Sequence, residues 1–430
     1  MRAGDTIFAL SSGAPPCAIA IIRISGDHAF AAVESLAGRM PAVRRPSLAT
    51  LRDANGDMLD QALLLLFRGP DSATGEDLAE LHLHGGRAVV RSVEAALAAI
   101  PELRAAQAGE FTKRAFLNGR IDLNEAEGLS DLLMAETEHQ RRAAVNMFGG
   151  AFSRAIEIWR QELLRISALT EAQLDFSDED DVSSQTATDI SNACTALRDE
   201  MQRLLALPPA EKLRDGLRIV LGGLPNSGKS TLLNALVSRD AAIVSNIAGT
   251  TRDVIEVPIA FEGIPLILTD TAGVRDNSDD QIERIGIERA ERAFAAADMI
   301  LWLGDEGAGP EHSALIEIDA KADDVARKTK SSAAFSVSAN TGQGMPELIA
   351  QILSRAKTLL PPPDSYAVNA RQRALLIDAG DAFGDASQAV DGLIVGENLR
   401  LARLALDALT GRAHTEDLLD NIFGAFCIGK

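Results

Sequence analysis

The hydrophobic and polar positions of this chain follow different periods in different regions. Over residues 1–118, short apolar runs with strand-like spacing alternate with stretches of helical period. This mixture predicts a small α+β domain. The predicted strands are Thr6–Leu10, Ala18–Ser25, Ala62–Phe67 and Leu78–Leu83, and the predicted helices are Ala29–Leu36 and Arg87–Ile100.

From 119 to 212 the period is almost wholly helical, with one acidic interruption at Asp175–Asp181. We attribute that interruption to helix capping or solvation in preference to the alternative, metal binding. Residues 216–357 then alternate strand-like and helical runs, as a parallel α/β sheet does. This stretch is therefore expected to form an α/β domain of its own.

Pro361–Pro363 interrupts the chain after the α/β stretch. The remaining segment, 361–430, is again mainly helical, over Val368–Leu419. Because helical stretches flank the α/β unit on both sides, we expect that unit to be inserted into a helical domain whose two parts pack together. The predicted fold is multidomain: an α+β N-terminal domain, an α-helical central domain and an inserted α/β domain.

Composition narrows the function classes. The chain has 430 residues and a formal net charge of −20, which argues against a general polyanion-binding surface. No apolar run is long enough to span a bilayer and the first residues lack a signal-peptide layout, so we expect a cytoplasmic protein without membrane contact. The three cysteines, Cys17, Cys194 and Cys427, are scattered and predict neither disulfides nor a zinc site.

One segment of the α/β stretch carries specific chemistry. Gly223–Ser230 fits the phosphate-binding pattern G-x-x-x-x-G-K-[ST], with an apolar run before it and a helical run, Thr231–Val237, after it. Its backbone N–H groups converge on phosphate oxygens, Lys229 reaches the terminal phosphates, and Ser230 can ligate Mg²⁺. The residues expected to contact the nucleotide here are Asn226, Ser227, Gly228, Lys229, Ser230 and Thr231.

Two further segments indicate a GTPase. Gly249–Asp253 contains Thr251, which can complete the Mg²⁺ shell and sense the γ-phosphate, as switch loops do. Asp270–Gly273 places a carboxylate and a flexible glycine where a strand ends. The nucleotide contacts predicted in these segments are Ser245, Asn246, Ile247, Ala248, Gly249, Thr250, Thr251, Asp270, Thr271, Ala272 and Gly273.

The water-positioning group is not where Ras-like switches place it. Val274 follows Gly273, and a valine side chain can neither donate nor accept a hydrogen bond. Another group must orient the attacking water, or hydrolysis is slow. The candidates lie in Asp276–Glu283, where the alternative for any one acid is simple capping of the following helix.

The base-reading motif is incomplete. The usual N-K-x-D occurs as Ala320–Asp323, so Lys321 can cover the ring and Asp323 can accept from guanine, while the asparagine amide is absent. Ser338, Ala339 and Asn340 follow a predicted strand and can present a backbone N–H to the base. The Gly-rich connection from Leu303 to Ser313 is too short for the helix expected there. GTP is favoured over ATP on these motifs, with weaker base binding than a complete motif gives.

Together these residues resemble the MnmE (TrmE) family of tRNA-modification GTPases over nearly the whole chain. The resemblance is most specific at the C-terminal Cys-Ile-Gly-Lys. The matching motifs are Ile21–Gly26, Thr74–Asp77, Gly109–Phe111, Arg114–Asn118, Asp122–Glu127, Gly249–Asp253, Asp270–Arg275, Glu283–Arg289 and Phe426–Lys430.

The resemblance implies a homodimer whose G domains meet when GTP and K⁺ are bound, with K⁺ in the role of an arginine finger. The positions that match its K⁺ ligands are Asn226, Ser245, Ile247 and Thr250, and those that match its Mg²⁺ ligands are Ser230 and Thr251. The water-positioning glutamate of the family matches Glu283. Besides Glu283 and Lys229, the catalytic residue that the resemblance implies is Cys427, for which the alternative is buried packing.

The resemblance also implies that the N-terminal domain binds 5-formyl- or methylene-tetrahydrofolate. The matching positions are Arg23, Glu80, Arg120 and Lys430. A carboxylate such as Glu80 suits the N–H edge of a pterin, and basic groups suit its glutamate tail. The alternatives are a surface ion pair for Arg23 and a structural hydrogen bond for Glu80.

On this resemblance we expect a K⁺-stimulated, Mg²⁺-dependent GTPase. With an FAD-containing MnmG-type partner, in a heterotetramer, it would install an aminomethyl-type group such as carboxymethylaminomethyl on C5 of the wobble uridine of certain tRNAs. The alternatives are a regulatory GTPase of the ribosome-assembly type and a structural protein that keeps nucleotide for stability. The N-terminal domain and terminal Lys430 argue against the first, and intact Ser230, Thr251, Asp270 and Glu283 against the second.

Overall fold

The computed structural model describes residues 5–175, 183–238, 242–243, 255–271, 280–324, 326, 329–413 and 416–430. By their contacts the residues fall into two compact units. One consists of Met1–Ser130 with Asp407–Lys430, and the other of Asp131–Leu406. The sequence pattern predicted one helical stretch over 361–430. The last part of that stretch, Asp407–Lys430, instead groups with the N-terminal residues. The predicted domain boundaries themselves stay a prediction.

Residues up to 134 form the first sheet and its helices. In chain order the elements are β1 Thr6–Leu10, β2 Ile19–Ser25, α1 Ala29–Ala37, β3 Ser47–Arg52, β4 Met58–Phe67, β5 Leu78–His84, α2 Arg87–Ala98, β6 Leu103–Ala105, α3 Glu110–Leu117 and α4 Leu123–Met134. The pattern did not predict β3 and β6. β3 is an edge strand with exposed Leu48 and Arg52, and β6 has only three residues, so neither carries a clear apolar run.

Helices follow on either side of the second sheet. Before it come α5 Glu138–Phe148, α6 Ala151–Asp175, α7 Ser183–Leu205 and α8 Ala210–Asp215. The sheet region comprises β7 Leu217–Gly222, α9 Lys229–Ser238, β8 Ala242–Ile243, β9 Ile255–Phe261, β10 Ile264–Asp270, α10 Asp280–Ala295, β11 Met299–Trp302, β12 Leu315–Ala320, β13 Phe335–Val337 and α11 Met345–Leu359. After it come α12 Ala370–Gln388, α13 Gly392–Leu409 and α14 Glu416–Gly424. Most of the acidic run 175–181 lies outside the described residues.

The first sheet has the strand order β3-β4-β5-β2-β1-β6. Side chains alternate along β2 and β5, so that Ile22 and Leu81 face α1 and α2 in the core while Arg23 and Glu80 point to the other face. The C-terminal segment packs on the same unit. Gly109 has a φ of 65° and approaches the carbonyl of Phe423 so closely that a Cβ would lie 2.1 Å from that oxygen. Only glycine fits there.

The second sheet has the order β13-β12-β11-β7-β10-β9-β8. Its central strands are parallel, as predicted, but β9 pairs antiparallel with β10 through a tight hairpin, so the sheet is mixed. β7 is buried on both faces, which explains its continuous apolar run. Residues 303–314 contain no helix, as the short connection predicts. The multidomain α+β, helical and α/β architecture agrees with the predicted fold class.

The helices before and after the second sheet pack together. Buried residues of α7, such as Cys194 and Met201, face buried residues of α12, such as Leu376 and Phe383. Ser191 donates a hydrogen bond across the pair to the Ser387 carbonyl at 2.7 Å. α7 and α12 therefore pack together although the second sheet lies between them in the sequence. This sheet also touches α5, since the His139 N–H donates to the Gly263 carbonyl in the β9–β10 hairpin.

Candidate functional site

The phosphate loop forms the turn between β7 and α9. Its backbone passes through positive φ at Gly223, Asn226 and Gly228, which lets successive N–H groups turn toward one centre. α9 begins at Lys229, two residues before the predicted start. The Lys229 side chain is buried, and its Nζ donates to the carbonyls of Gly223 and Leu224, both at 2.9 Å. The loop is thus folded around its own lysine.

A hydroxyl and a carboxylate meet beside the loop. The Ser230 Oγ donates to the Asp270 Oδ2 at 2.6 Å, although the two residues are 40 positions apart. The parallel pairing of β10 with β7 brings them together, because it sets Asp270 beside Leu221 at the carboxyl end of the sheet. Thr271 anchors this end by donating its Oγ1 hydrogen to the Leu221 carbonyl at 2.9 Å. Two hard oxygen donors at this spacing suit Mg²⁺.

One polar atom in the loop lacks a protein partner. The Ser227 Oγ is buried and makes no hydrogen bond within the part of the chain that the structure describes. A buried hydroxyl without a partner costs about 1–3 kcal/mol, unless another group completes its hydrogen bonding. The loop geometry and this hydroxyl together favour a bound anion. Thr231, in the first turn of α9, lies at the edge of a neighbouring cavity.

A cavity of about 310 Å³ lies next to the loop, and we call it the base pocket because residues predicted to contact the base line it. Its lining includes Gly228, Lys321, Asp323, Ala339 and Asn340. Lys321 has a φ of 59°, and its Nζ donates to the Asn226 carbonyl at 2.8 Å. Asn340 donates through Nδ2 to the Asp323 Oδ2 at 3.3 Å. The buried Ser338 accepts from the Thr341 N–H at 3.1 Å and so holds the loop that follows β13.

Several predicted nucleotide and ion contacts lie outside the described residues. They are Ser245, Asn246, Ile247, Ala248, Gly249, Thr250, Thr251, Ala272 and Gly273. Glu283 belongs to α10, whose backbone is described over Asp280–Ala295, while its side chain falls outside the description. The roles of these residues stay predictions.

In the N-terminal unit, two of the predicted folate residues are direct partners. Arg23 on β2 lies opposite Glu80 on β5 and donates to its Oε1 from Nη2 at 2.8 Å and from Nε at 3.2 Å. The guanidinium also lies over the Phe111 ring, 5.9 Å from its centroid. His82 Nε2 is 3.3 Å from the other oxygen of Glu80. We call Arg23, Glu80 and His82 the Arg23–Glu80 face.

His82 was missed by the sequence reasoning. The available signal was its position two residues after Glu80 on a strand, which puts both side chains on the same face. A second missed feature is a partly buried ion network in the same unit. Arg104 donates to Asp5 at 2.6 Å and to Glu110, and Arg114 donates to Asp5 at 2.8 Å and to Glu76 at 3.0 Å.

The network lowers the pKa of Asp5 and of Glu110. Burial raises the pKa of Glu110, but hydrogen bonds from Arg104 and the Gln107 N–H, with the charges of Arg104 and Arg114, outweigh burial and hold that pKa below its ordinary value. The pKa of Asp5 is likewise lowered, because Arg104 and Arg114 outweigh its burial. These two acids therefore stay ionised in the fold.

The other predicted residues of this unit are placed differently. The side chain of Arg120 is 4.0 Å from Asp71, and Lys430 is half-buried at the end of a segment whose Gly429 carbonyl accepts from the Ser11 hydroxyl at 2.8 Å. Among the described residues, no hydrogen bond or ion pair links Arg120 or Lys430 to the Arg23–Glu80 face. Cys427 is exposed, so the buried-packing alternative was wrong for it. Cys194 is the buried thiol, and burial raises its pKa to about 11.

Among the described residues, no group of three or more His, Cys, Asp or Glu side chains could hold a metal ion. Over the same residues no helix combines the length and the apolar character that a bilayer crossing needs.

Comparison with known protein families gives two matches. Residues 6–120 match the family described as GTP-binding protein TrmE N-terminus, and residues 123–427 match the MnmE helical domain. Relatives named tRNA modification GTPase MnmE match end to end. The protein from Erythrobacter litoralis is 54% identical over 99% of this chain and 100% of its own, and that from Rhizorhabdus wittichii is 56% identical over 100% and 97%.

Two of the solved structures that resemble this protein align with part of the chain. The G domain of the FeoB iron transporter from T. maritima is 21% identical and aligns with 33% of this chain and 98% of its own, with a TM-score of 0.25. Era from Aquifex aeolicus is 24% identical and aligns with 38% of this chain and 66% of its own, with a TM-score of 0.24. Scores this low support no inference.

Proposed function

Because this chain belongs to the MnmE family of tRNA modification GTPases, we propose that it hydrolyses GTP as part of a tRNA modification reaction. The observation that carries the proposal is the joint placement of Lys229, Ser230 and Asp270 around a loop whose buried Ser227 hydroxyl has no hydrogen-bond partner among the described residues. Water attacks the γ-phosphorus, the bond to the β–γ bridging oxygen breaks, and GDP and phosphate leave.

We assign the residues of the loop as follows. Lys229 exchanges its contacts with the Gly223 and Leu224 carbonyls for the terminal phosphate oxygens, which carry more charge. Ser230 would hold Mg²⁺ together with Thr251, with Asp270 beside it, and the ion would neutralise charge on the phosphates. The Ser230–Asp270 contact supports this assignment, because both oxygens already face one point.

Two further parts complete the hydrolytic site in this proposal. Glu283 on α10 orients the attacking water, the role that Val274 cannot fill. Asn226, Ser245, Ile247 and Thr250 hold K⁺, which offsets charge developing on the phosphates as an arginine would. The support is the family membership and the position of Asn226 at the exposed rim of the loop.

The modification step is placed in the N-terminal unit. We propose that Arg23, Glu80, Arg120 and Lys430 bind a tetrahydrofolate that supplies one carbon, and that Cys427 acts near it. With an FAD-containing MnmG-type partner, a homodimer of this chain would install an aminomethyl-type group at C5 of the wobble uridine. The placement of Arg23 and Glu80 side by side on one face of the sheet, and the exposure of Cys427, support this assignment. A cytoplasmic location fits tRNA as substrate.

GTP turnover in potassium and sodium buffers tests the hydrolytic part. We expect fast turnover in K⁺ and slow turnover in Na⁺, and for Glu283→Ala a loss of about a hundredfold or more in K⁺ with GDP binding retained. Glu291→Ala changes an exposed acid of the same helix and should match the wild type. Equal rates in both buffers would contradict the K⁺ site. Unchanged turnover in Glu283→Ala would contradict the role proposed for Glu283.

Nucleoside analysis of tRNA tests the modification part. Cells lacking this protein should lose the modified wobble uridine, and the wild-type gene should restore it. A normal nucleoside profile in the deletion strain would favour the assembly-factor alternative.

A further inference from the structure

The base pocket lacks the asparagine that normally begins the guanine-reading motif. Ala320 ends β12 at that position, and a methyl group can neither donate nor accept a hydrogen bond. In a complete motif that side chain braces the pocket. The question is which groups of this chain keep the pocket in shape.

The link between phosphate loop and base pocket is carried by Lys321. Its Nζ donates to the Asn226 carbonyl at 2.8 Å, and its Cε lies 3.7 Å from the point where a Cβ on Gly228 would stand. The lysine stem therefore lies along the loop, and its end is anchored to loop backbone. This contact joins two segments that Ala320 cannot join.

The Asp323 carboxylate, which is expected to bind the base, is held by a second contact. Asn340 donates from Nδ2 to the Asp323 Oδ2 at 3.3 Å, and both residues line the 310 Å³ cavity. An ionised carboxylate has about four lone-pair positions. One of them can accept from Asn340 while two others accept the N1–H and 2-amino donors of guanine. The amide thus limits rotation of Asp323 without using up its capacity.

The loop that carries Asn340 does not depend on this side chain for its shape. The Ser338 N–H donates to the Gln343 carbonyl at 2.9 Å, and the Gly342 N–H donates to the Ser338 carbonyl at 2.8 Å. The Thr341 N–H donates to the Ser338 hydroxyl. Removing the Asn340 amide should therefore remove one restraint on Asp323 and leave the loop in place.

We propose that Asn340 is a positioning residue that orients Asp323 toward the guanine edge, in place of the asparagine absent at position 320. The inference rests on the proposed GTPase function and adds a specificity determinant to it. The ligand class is a purine nucleotide with both a ring N–H and a 2-amino group. Asp323 reads the base, and Asn340 acts through Asp323.

The test compares GDP with IDP, whose base lacks the 2-amino group. The dissociation constants of both nucleotides are measured on the full chain, by competition with a fluorescent GDP, for wild type, Asn340→Ala and Gln343→Ala. Gln343 is the matched control, because its exposed amide lies in the same loop.

For Asn340→Ala we expect GDP to bind about threefold to tenfold more weakly, the net value of one ordinary hydrogen bond, because the contact is exposed and 3.3 Å long. IDP should lose less, since it makes one fewer bond to Asp323, so the ratio of the IDP to the GDP constant falls. Gln343→Ala should leave both constants unchanged.

One outcome overturns the inference: an unchanged ratio in Asn340→Ala, whether neither nucleotide loses affinity or both lose it equally, since an equal loss would indicate general damage to the loop. Wild-type protein that bound no GDP at all would overturn the GTPase proposal as well, so the two failures are distinguishable.

Discussion

The phosphate loop and the Arg23–Glu80 face use different parts of the polypeptide. In the loop, backbone groups over Gly223–Ser230 define the geometry, and the residue types serve mainly to permit positive φ and close approach. On the Arg23–Glu80 face, side chains of two strands define the geometry. The paired residues Arg23 and Glu80 are 57 positions apart in the sequence. One site is local in sequence and the other depends on strand register.

This difference explains how each site tolerates change. A backbone site requires certain residue types at fixed spacing, so a single substitution in the loop is expected to have a large effect. A side-chain site can exchange one polar group for another, and its affinity declines in steps. The predictions below separate the two kinds of site.

The largest effect is expected for Lys229→Ala. It removes the charge that reaches the terminal phosphates, so GTP hydrolysis should fall by about a hundredfold to a thousandfold. Tetrahydrofolate binding, measured by calorimetry on the same preparation, should not change. A parallel loss of folate binding would show that the two sites are not independent.

The ion network beneath the N-terminal sheet gives the next effect. Glu110→Gln removes a charge that pairs with Arg104 and Arg114, and should lower the free energy of unfolding of the N-terminal unit by about 2 kcal/mol at neutral pH. Denaturant titration followed by a probe in that unit measures it.

The pH dependence of this effect has a defined sign. Because the pKa values of Asp5 and Glu110 are lowered in the fold, their contribution is present above about pH 4, the unfolded value, and is lost as the pH falls through the folded values. The difference between wild type and Glu110→Gln should therefore shrink below about pH 4. A difference that stayed constant into acid would exclude the network as its cause.

The smallest effect is expected on the Arg23–Glu80 face. Glu80→Gln keeps the shape but removes the charge that Arg23 pairs with, so folate affinity should fall about tenfold while GTP hydrolysis stays as in the wild type. Glu34→Gln, an exposed acid on α1, is the control. Unaltered folate affinity in Glu80→Gln would leave Glu80 with the structural role that the sequence left open.

Much of the fold could be predicted from local pattern. β1 was predicted from end to end, and α9 within two residues at each end, because their apolar positions are contiguous in the sequence. β6 could not be predicted, since its three residues become a strand only by pairing with β1. The grouping of Asp407–Lys430 with the first unit was also beyond local pattern, because it depends on contacts such as Gly109 with Phe423.

By itself the sequence determined the phosphate-binding chemistry, the order of α+β, helical and α/β segments, and the family. These properties depend on residues close together in the chain, where spacing alone sets geometry. The tertiary structure decided the partners of Ser230, Glu80, Asp5 and Asp323, because strand register and loop packing bring together residues between 17 and 99 positions apart. Hydrogen bonds between distant residues form only after the chain has folded, and so only the folded chain specifies them.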